Sequence, residues 1–217
     1  MSDEILVEKN KDFASECYEQ ITDALLDLGF KRVRLGVFAF EISPNIYAWL
    51  GLNRVRKSSV ELELYPVIGV VHVEVNDIVY LRTNTKKDLS PTVSVPICYL
   101  LAEGKYRTWT WRKGSNEASV TSDLKKVVQL YGLPFLDRFS SVEKLYQEFY
   151  ADEFNDEEAR LTVNMQRVVP AAMLLTNRMG AIESYLKKQK HANDALGGDS
   201  DFEIFANQLM QRAIQRH

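Results

Sequence analysis

Four residues in the first half of the chain have side chains that could act together in catalysis: Glu61, Glu63, His72 and Glu74. His72 and Glu74 are two residues apart in an apolar run typical of a β-strand, so their side chains are expected on one face. A histidine between carboxylates can act as a general base or a metal ligand. No phosphate loop, nucleophile elbow or Cys/His zinc spacing accompanies them, and a structural histidine is the competing interpretation. These residues support one hypothesis, a nucleic-acid-processing enzyme with a dispersed acidic site.

A second set of residues could bind a macromolecule, because aromatic and basic side chains are interleaved in two predicted strand regions. Trp, Tyr and Arg supply most of the binding energy in protein interfaces. Aromatic rings beside cations can also stack bases and neutralise phosphates. Burial under the helices is the alternative for each aromatic residue. The candidate binding residues are Tyr47, Trp49, Arg54, Arg56, Trp109 and Trp111.

The chain is acidic at its start and basic in the segment that follows. Residues 1–27 contain 2 Lys+Arg against 8 Asp+Glu, and residues 28–113 contain 13 against 7, within a net charge of −3. Either the two segments pack together and their fields cancel, or the basic segment forms an exposed surface. Dedicated nucleic-acid-binding domains are usually basic overall, so a protein partner is favoured over nucleic acid. The favoured function is therefore a non-enzymatic protein-binding or accessory protein.

The elements that must position these residues begin with a helix and continue with strands. Apolar residues spaced three and four apart predict a helix over residues 10–28, with Asn10 as N-cap and Gly29 as its left-handed end. Alternating polarity then predicts an antiparallel sheet of about five to six strands, with a turn at Glu103-Gly104 before the last strand. The predicted strands span residues 31–42, 46–53, 60–64, 67–75, 93–101 and 105–112.

Helical spacing returns in the second half of the chain. Gly132, followed by Pro134, predicts a helix end. Ser140 and Glu143 form a capping box, and Gly197-Gly198 forms a linker before the last helix. The predicted helices span residues 118–131, 140–150, 159–177, 181–190 and 201–216.

The predicted fold class is α+β, with the N-terminal helix packed on the sheet and a helical C-terminal half. Residues 1–139 form the helix-and-sheet core, and residues 140–217 form a helical region expected to pack on it as one unit. The last helix, after the linker, could dock onto a partner or join copies of the chain into a homo-oligomer.

The remaining features point to a cytoplasmic protein without cofactors. Cys17 and Cys98 are too few for a disulfide framework and fit buried, reduced thiols. No apolar stretch is long enough for a membrane span, and the acidic start is unlike a signal peptide. No motif predicts a metal, a cofactor or a catalytic residue, and no membrane partner is expected.

The order of helix, strand meander and helical tail resembles small bacterial proteins known only as a domain of unknown function. The resemblance includes the segment GLPFLDRF at residues 132–139 and MGAIE at residues 179–183, and it covers roughly residues 10–190. It implies a helix-and-sheet half with a helical tail, and a role in bacterial conflict as an immunity or defence accessory protein. It brings no catalytic residue to any position of this chain.

Overall fold

The computed structural model describes residues 12–80, 89–150, 161, 164–195 and 200–215. The α+β prediction is confirmed, with an N-terminal helix, a six-stranded antiparallel sheet and a helical C-terminal half. The strands are β1 Lys31–Arg34, β2 Val37–Ser43, β3 Ile46–Lys57, β4 Glu61–His72, β5 Val93–Pro96 and β6 Trp109–Arg112. The helices are α1 Phe13–Leu26, α2 Val73–Val79, α3 Glu117–Val127, α4 Leu133–Arg138, α5 Val142–Tyr150, α6 Met165–Leu175, α7 Met179–Ala195 and α8 Ser200–Gln215.

The first helix, α1, packs its apolar face on the sheet and its start on a basic strand. Asp12 is the N-cap, and its carboxylate accepts a hydrogen bond from the Ser15 N–H at 2.8 Å. The predicted cap, Asn10, lies outside the described residues. The Lys57 ammonium, 2.8 Å from Asp12, lowers the pKa of this carboxyl to about 2. Gly29, with φ 87°, follows the helix in the left-handed conformation predicted for it.

Residues 31–42, predicted as one strand, form a hairpin of two. The chain reverses at Leu35 and Gly36, where Gly36 has φ 71° and only glycine adopts this conformation without strain. Arg34 then pairs with Val37 across the turn. The sequence did not predict this turn, because apolar residues alternate without interruption on both sides of Gly36.

The two strands predicted at 60–64 and 67–75 are in fact one long strand, β4, which tolerates Pro66. Leu52 of β3 pairs with Pro66 but donates its N–H away from β4, to the carbonyl of Gly36. Leu52 and Pro66 are therefore a non-hydrogen-bonded pair of the β3–β4 ladder. The Pro66 nitrogen therefore faces the opposite edge, between the residues that pair with β5 and those that pair with β6. No ladder N–H is required there, so proline costs no hydrogen bond.

The sheet has the order β1-β2-β3-β4-β5, and β6 pairs with β4 beside β5. Because β5 and β6 each pair with β4, the hairpin predicted for them is wrong. The predicted strand at 93–101 is also too long, since Ile97–Leu100 form a 3₁₀ turn.

Alternate strand residues form two distinct sheet faces. The front face carries the buried core, which joins the strands to both the N-terminal and the C-terminal helices. Leu50, Ile68 and Val95 lie in register there, and Trp109 and Trp111 pair with the buried leucines of β4. The opposite face, called the open face below, contributes no fully buried residue to this core.

The helix predicted to stop at Gly132 does not stop there. After α3 the chain makes a π-helical turn, Val128–Gly132, and continues directly into α4. Gly132 has a right-handed helical backbone with φ −68°. A methyl group at Gly132 would lie 2.7 Å from Cδ1 of Ile68, so close packing on β4 accounts for the glycine.

The helical half is arranged around α6, whose residues Val168–Leu174 are all buried. This helix includes Pro170 and contacts α2, α5, α7 and α8. At the start of α5, the hydroxyl of Ser141 accepts the Lys144 N–H, so the cap lies one residue after the predicted Ser140. The last helix begins at Ser200, and Gly197-Gly198 falls outside the described residues.

Replacing Gly132 with alanine should destabilise the protein by about 1–3 kcal/mol, because the new methyl group overlaps Ile68. Gly180→Ala is the matched control, since no atom lies within 4 Å of that position, near the start of α7. Alanine should stabilise the helix there by about 0.5–1 kcal/mol. Urea denaturation measures both values, and equal effects of the two substitutions would contradict the packing explanation.

Candidate functional site

The open face is built from two cross-strand rows that run through five strands. The first row is Lys31, Ala39, Trp49, Gly69 and Ser94. In both rows a cation on β1 is followed by residues that carry no charge. The second row consists of Arg34, Val37, Gly51, Val67 and Pro96.

Trp49 is the one bulky side chain in these two rows. Its indole lies over the neighbouring Gly51, because a methyl group there would approach Cη2 of Trp49 to 2.3 Å. The indole is half-buried, and Val37 and Val67 beside it are also half-buried. Ala39 on β2 is buried but does not belong to the front core. The two rows therefore form an apolar surface in which Trp49 is the one aromatic residue.

The two cations of these rows lie at the β1 edge of the open face. Lys31 and Arg34 are exposed, and neither forms an ion pair with any carboxylate of the described residues. Lys31 is two strands from Trp49, or about 10 Å at the usual strand spacing. A ligand seated on Trp49 can therefore reach both cations.

Tyr47 and Arg54, also predicted as binding residues, lie at the margins of this surface. Tyr47 is half-buried and shares the open face with Trp49, two residues along β3. Arg54 pairs with Leu64 and so lies on the front side of the sheet, where its charge acts on Tyr18 of α1. Arg54 is exposed but does not belong to the open face.

Trp109 and Trp111 are core residues, which corrects the expectation that they are exposed. Trp109 is 2% exposed, and its indole N–H donates to Asp123 at 2.8 Å. Trp111 is 0% exposed and donates to Thr121 at 2.9 Å. Their strand pairs with the leucine face of β4, and α3 covers it, so neither ring can contact a partner.

Arg56, the last of the predicted binding residues, is held in a ladder of opposite charges. It lies 3.4 Å from Glu61 and 4.0 Å from Glu63. Arg112 also binds Glu61 at 3.1 Å, and the Thr108 hydroxyl donates to Glu63 at 2.7 Å. The two glutamates of the enzyme hypothesis are therefore neutralised across β3, β4 and β6.

His72 is far from those glutamates and is a structural residue. It is 1% exposed, and its Nε2–H donates to the Phe139 carbonyl at 2.8 Å. It stands at the opposite end of β4 from Glu61, about 36 Å away at the usual rise per residue. Burial lowers the pKa of His72 to about 4, while the Phe139 hydrogen bond acts in the opposite direction. His72 is thus neutral at physiological pH.

Glu74 does not share a strand face with His72, because β4 ends at His72 and α2 begins at Val73. Its carboxylate instead accepts a hydrogen bond from the Asn45 side chain at 3.3 Å. The four residues of the enzyme hypothesis therefore do not converge on one site. Among the described residues, no three His, Cys, Asp or Glu side chains are placed to hold a metal ion.

A cleft of about 510 Å³ lies between the 3₁₀ turn, the π-helical turn and α4. Its lining includes Tyr99, Leu130 and Tyr131. Arg138 is the charged residue in the lining, and it binds Glu148 at 2.7 Å. No acid–base pair lines the cleft, so the open face remains the better candidate site.

Comparison of the chain with protein-family models, with curated proteins and with solved structures found no match. No helix in the described part of the chain is long and apolar enough to cross a membrane.

Acrylamide should quench one of the three tryptophans in the native protein, because Trp49 alone among them is not fully buried. Trp49→Phe should remove the quenchable fraction of the fluorescence. Gly51→Ala should increase quenching, since the methyl group displaces the indole from the sheet. Quenching that survives in Trp49→Phe would contradict the burial of the other two tryptophans.

Lowering the pH from about 6.5 to about 4 should destabilise the protein through His72. The unfolded chain binds a proton near pH 6.5, whereas the folded chain resists protonation until about pH 4. The loss in the free energy of unfolding should approach about 3 kcal/mol across this window. Chemical denaturation at several pH values measures it, with His72→Gln as comparison because the amide keeps a donor for Phe139. An unchanged pH slope in His72→Gln would assign the effect to other groups.

Proposed function

We propose that this chain is a non-enzymatic protein-binding protein whose open face is the binding surface. The observation that carries the proposal is the pair of cross-strand rows, in which Trp49 lies among small and apolar residues, and two cations at the β1 edge form no ion pair with any described carboxylate. A partner of matching chemistry presents an apolar patch to Trp49 and carboxylates to Lys31 and Arg34.

The arrangement agrees with the usual anatomy of protein interfaces. Their centres are apolar, with aromatic and Arg anchors, and their rims are polar. Here the half-buried Trp49, Val37 and Val67 supply the centre, and the exposed Lys31 and Arg34 supply one rim. Charges at a rim accelerate and orient association more than they strengthen it.

Single-stranded nucleic acid fits this surface less well. A stacking platform needs successive aromatic rings beside a continuous basic track. The two rows contain one ring and two cations, and the arginines further along the sheet are paired with Glu61. Trp109 and Trp111 are buried and contribute no ring to the surface, which leaves Tyr47 as the aromatic neighbour of Trp49 along β3.

The absence of a convergent acidic site among the described residues also favours binding over catalysis. The biological setting that we propose, an accessory or immunity role in bacterial defence, is supported by the sequence resemblance alone.

Trp49→Ala should weaken capture of the partner by about 30-fold, the effect of losing a hot-spot residue worth about 2 kcal/mol. Tagged wild-type chain, Trp49→Ala and Leu130→Ala are incubated with native-host lysate after nuclease treatment, and retained proteins are quantified by mass spectrometry. Leu130 is 53% exposed on the π-helical turn, so its truncation serves as the matched control. A partner retained equally by all three chains, or recovery of nucleic acid alone, would overturn the proposal.

The double variant Lys31→Glu with Arg34→Glu provides a second measurement on the same surface. With the captured protein purified, association should slow and lose its dependence on salt, because rim charges steer the encounter. Both positions are exposed and unpaired, so the variant should fold normally.

A further inference from the structure

The last helix, α8, has two different faces with similar spacing. Its inner face packs against α6 and α7 through the buried residues Phe202, Phe205, Leu209 and Ala213. Its outer face exposes a second set with spacings of three, four and three residues. These outer residues are Ile204, Asn207, Gln211 and Ile214.

The outer face carries no charge, although 26% of the chain is charged. Ile204 and Ile214 are 50% and 70% exposed at its two ends. Gln208 and Gln215 flank the same stripe, and none of its amides makes a hydrogen bond to another described group. Solvent-exposed helix faces are normally rich in charge, whereas this stripe combines aliphatic and amide groups.

The spacing of the outer face is that of the a and d positions of a coiled coil. Helices with such a seam pack side by side through it. Polar residues at a and d positions fix register and orientation, at some cost in affinity. Here the amides occupy the two middle positions and the isoleucines the two ends.

The stripe is also self-complementary in the antiparallel sense. When two copies of α8 lie antiparallel and centred on Leu209, Ile204 of each faces Ile214 of the other. Asn207 then faces Gln211 of the second copy. Side-chain amides carry both donors and acceptors, so amide pairs satisfy each other without any charge.

We infer that this outer face of α8 is the interface of a homodimer, in which two copies pack antiparallel about a two-fold axis. A second copy provides a chemically matching side chain at every position of the stripe, because the isoleucines at the ends meet isoleucines and the amides in the middle meet amides. The four stripe residues offer no charge to a charged partner, and the exposed Glu203 beside them is already paired with Lys190 at 2.7 Å. The interface is distinct from the open face, so the inference stands independently of the proposed function.

The dimer should be weak. A helix of 16 residues is about 24 Å long, and one helix pair covers less than the roughly 800 Å² per partner typical of stable complexes. Two polar layers reduce the apolar contact further. Dissociation is therefore expected in the micromolar range.

Sedimentation velocity over about 1 to 200 µM tests the inference, because this range brackets a micromolar dissociation constant. The wild-type chain, of 24.9 kDa, should shift from monomer to a species of twice that mass. Ile204→Glu combined with Ile214→Glu should remain monomeric throughout, whereas Leu130→Glu should dimerise like wild type. Both isoleucines are exposed, so thermal melts of the variants should match the wild type. A wild-type chain that stays monomeric, or a double variant that still dimerises, overturns the interface.

A charge exchange tests the antiparallel arrangement. In Ile204→Lys with Ile214→Glu, each introduced ammonium faces an introduced carboxylate of the other copy only when the helices are antiparallel. This variant should regain dimerisation that the double-glutamate variant lacks, and high salt should weaken it. In a parallel pair like charges would meet and the chain would stay monomeric, which would contradict the arrangement.

Discussion

The pairing of β4 along both of its edges is the constraint on which the rest of the structure depends. One edge pairs with β3 over the full length of the strand, and the other edge pairs first with β6 and then with β5. Pro66 is tolerated because it falls between these last two strands. Ile68, in the middle of β4, receives the close approach of Gly132 and so positions the second half of the chain.

This central strand also separates the residues that could have formed an active site. Alternation sends Glu61 and Glu63 to the open face, where arginines neutralise them, and sends His72 to the front, where burial keeps it neutral. The two rows beyond those glutamates carry small and apolar residues, Trp49 and the cations of β1. Among the described residues these acidic and basic side chains therefore do not converge on one site.

The two outer edges of the sheet differ: a side chain caps the backbone groups of one edge, and the other edge carries exposed cations. The Asn116 side chain covers the outer edge of β6 by accepting from the Arg112 N–H and donating to the Thr110 carbonyl. In the part of the chain that the structure describes, no strand lies beside the outer edge of β1, which carries exposed cations instead. Charged edge residues discourage nonspecific strand addition.

Periodicity in the sequence determined the fold class, the N-terminal helix and most later helices, because helical and strand spacing are local properties. Periodicity did not predict the turn at Gly36 or the continuity of β4, and it wrongly predicted a helix end at Gly132. Each of these features depends on which segment packs alongside. Periodicity also treated Trp49, Trp109 and Trp111 as equivalent, because all three occupy alternating runs beside basic residues. Only the tertiary structure separated them: Trp109 pairs with Leu64 on the covered face and Trp49 with Gly69 on the open one. Alternation defines two faces of a strand, but which face the helices cover is decided by long-range packing, and that choice determines which residues remain available for binding.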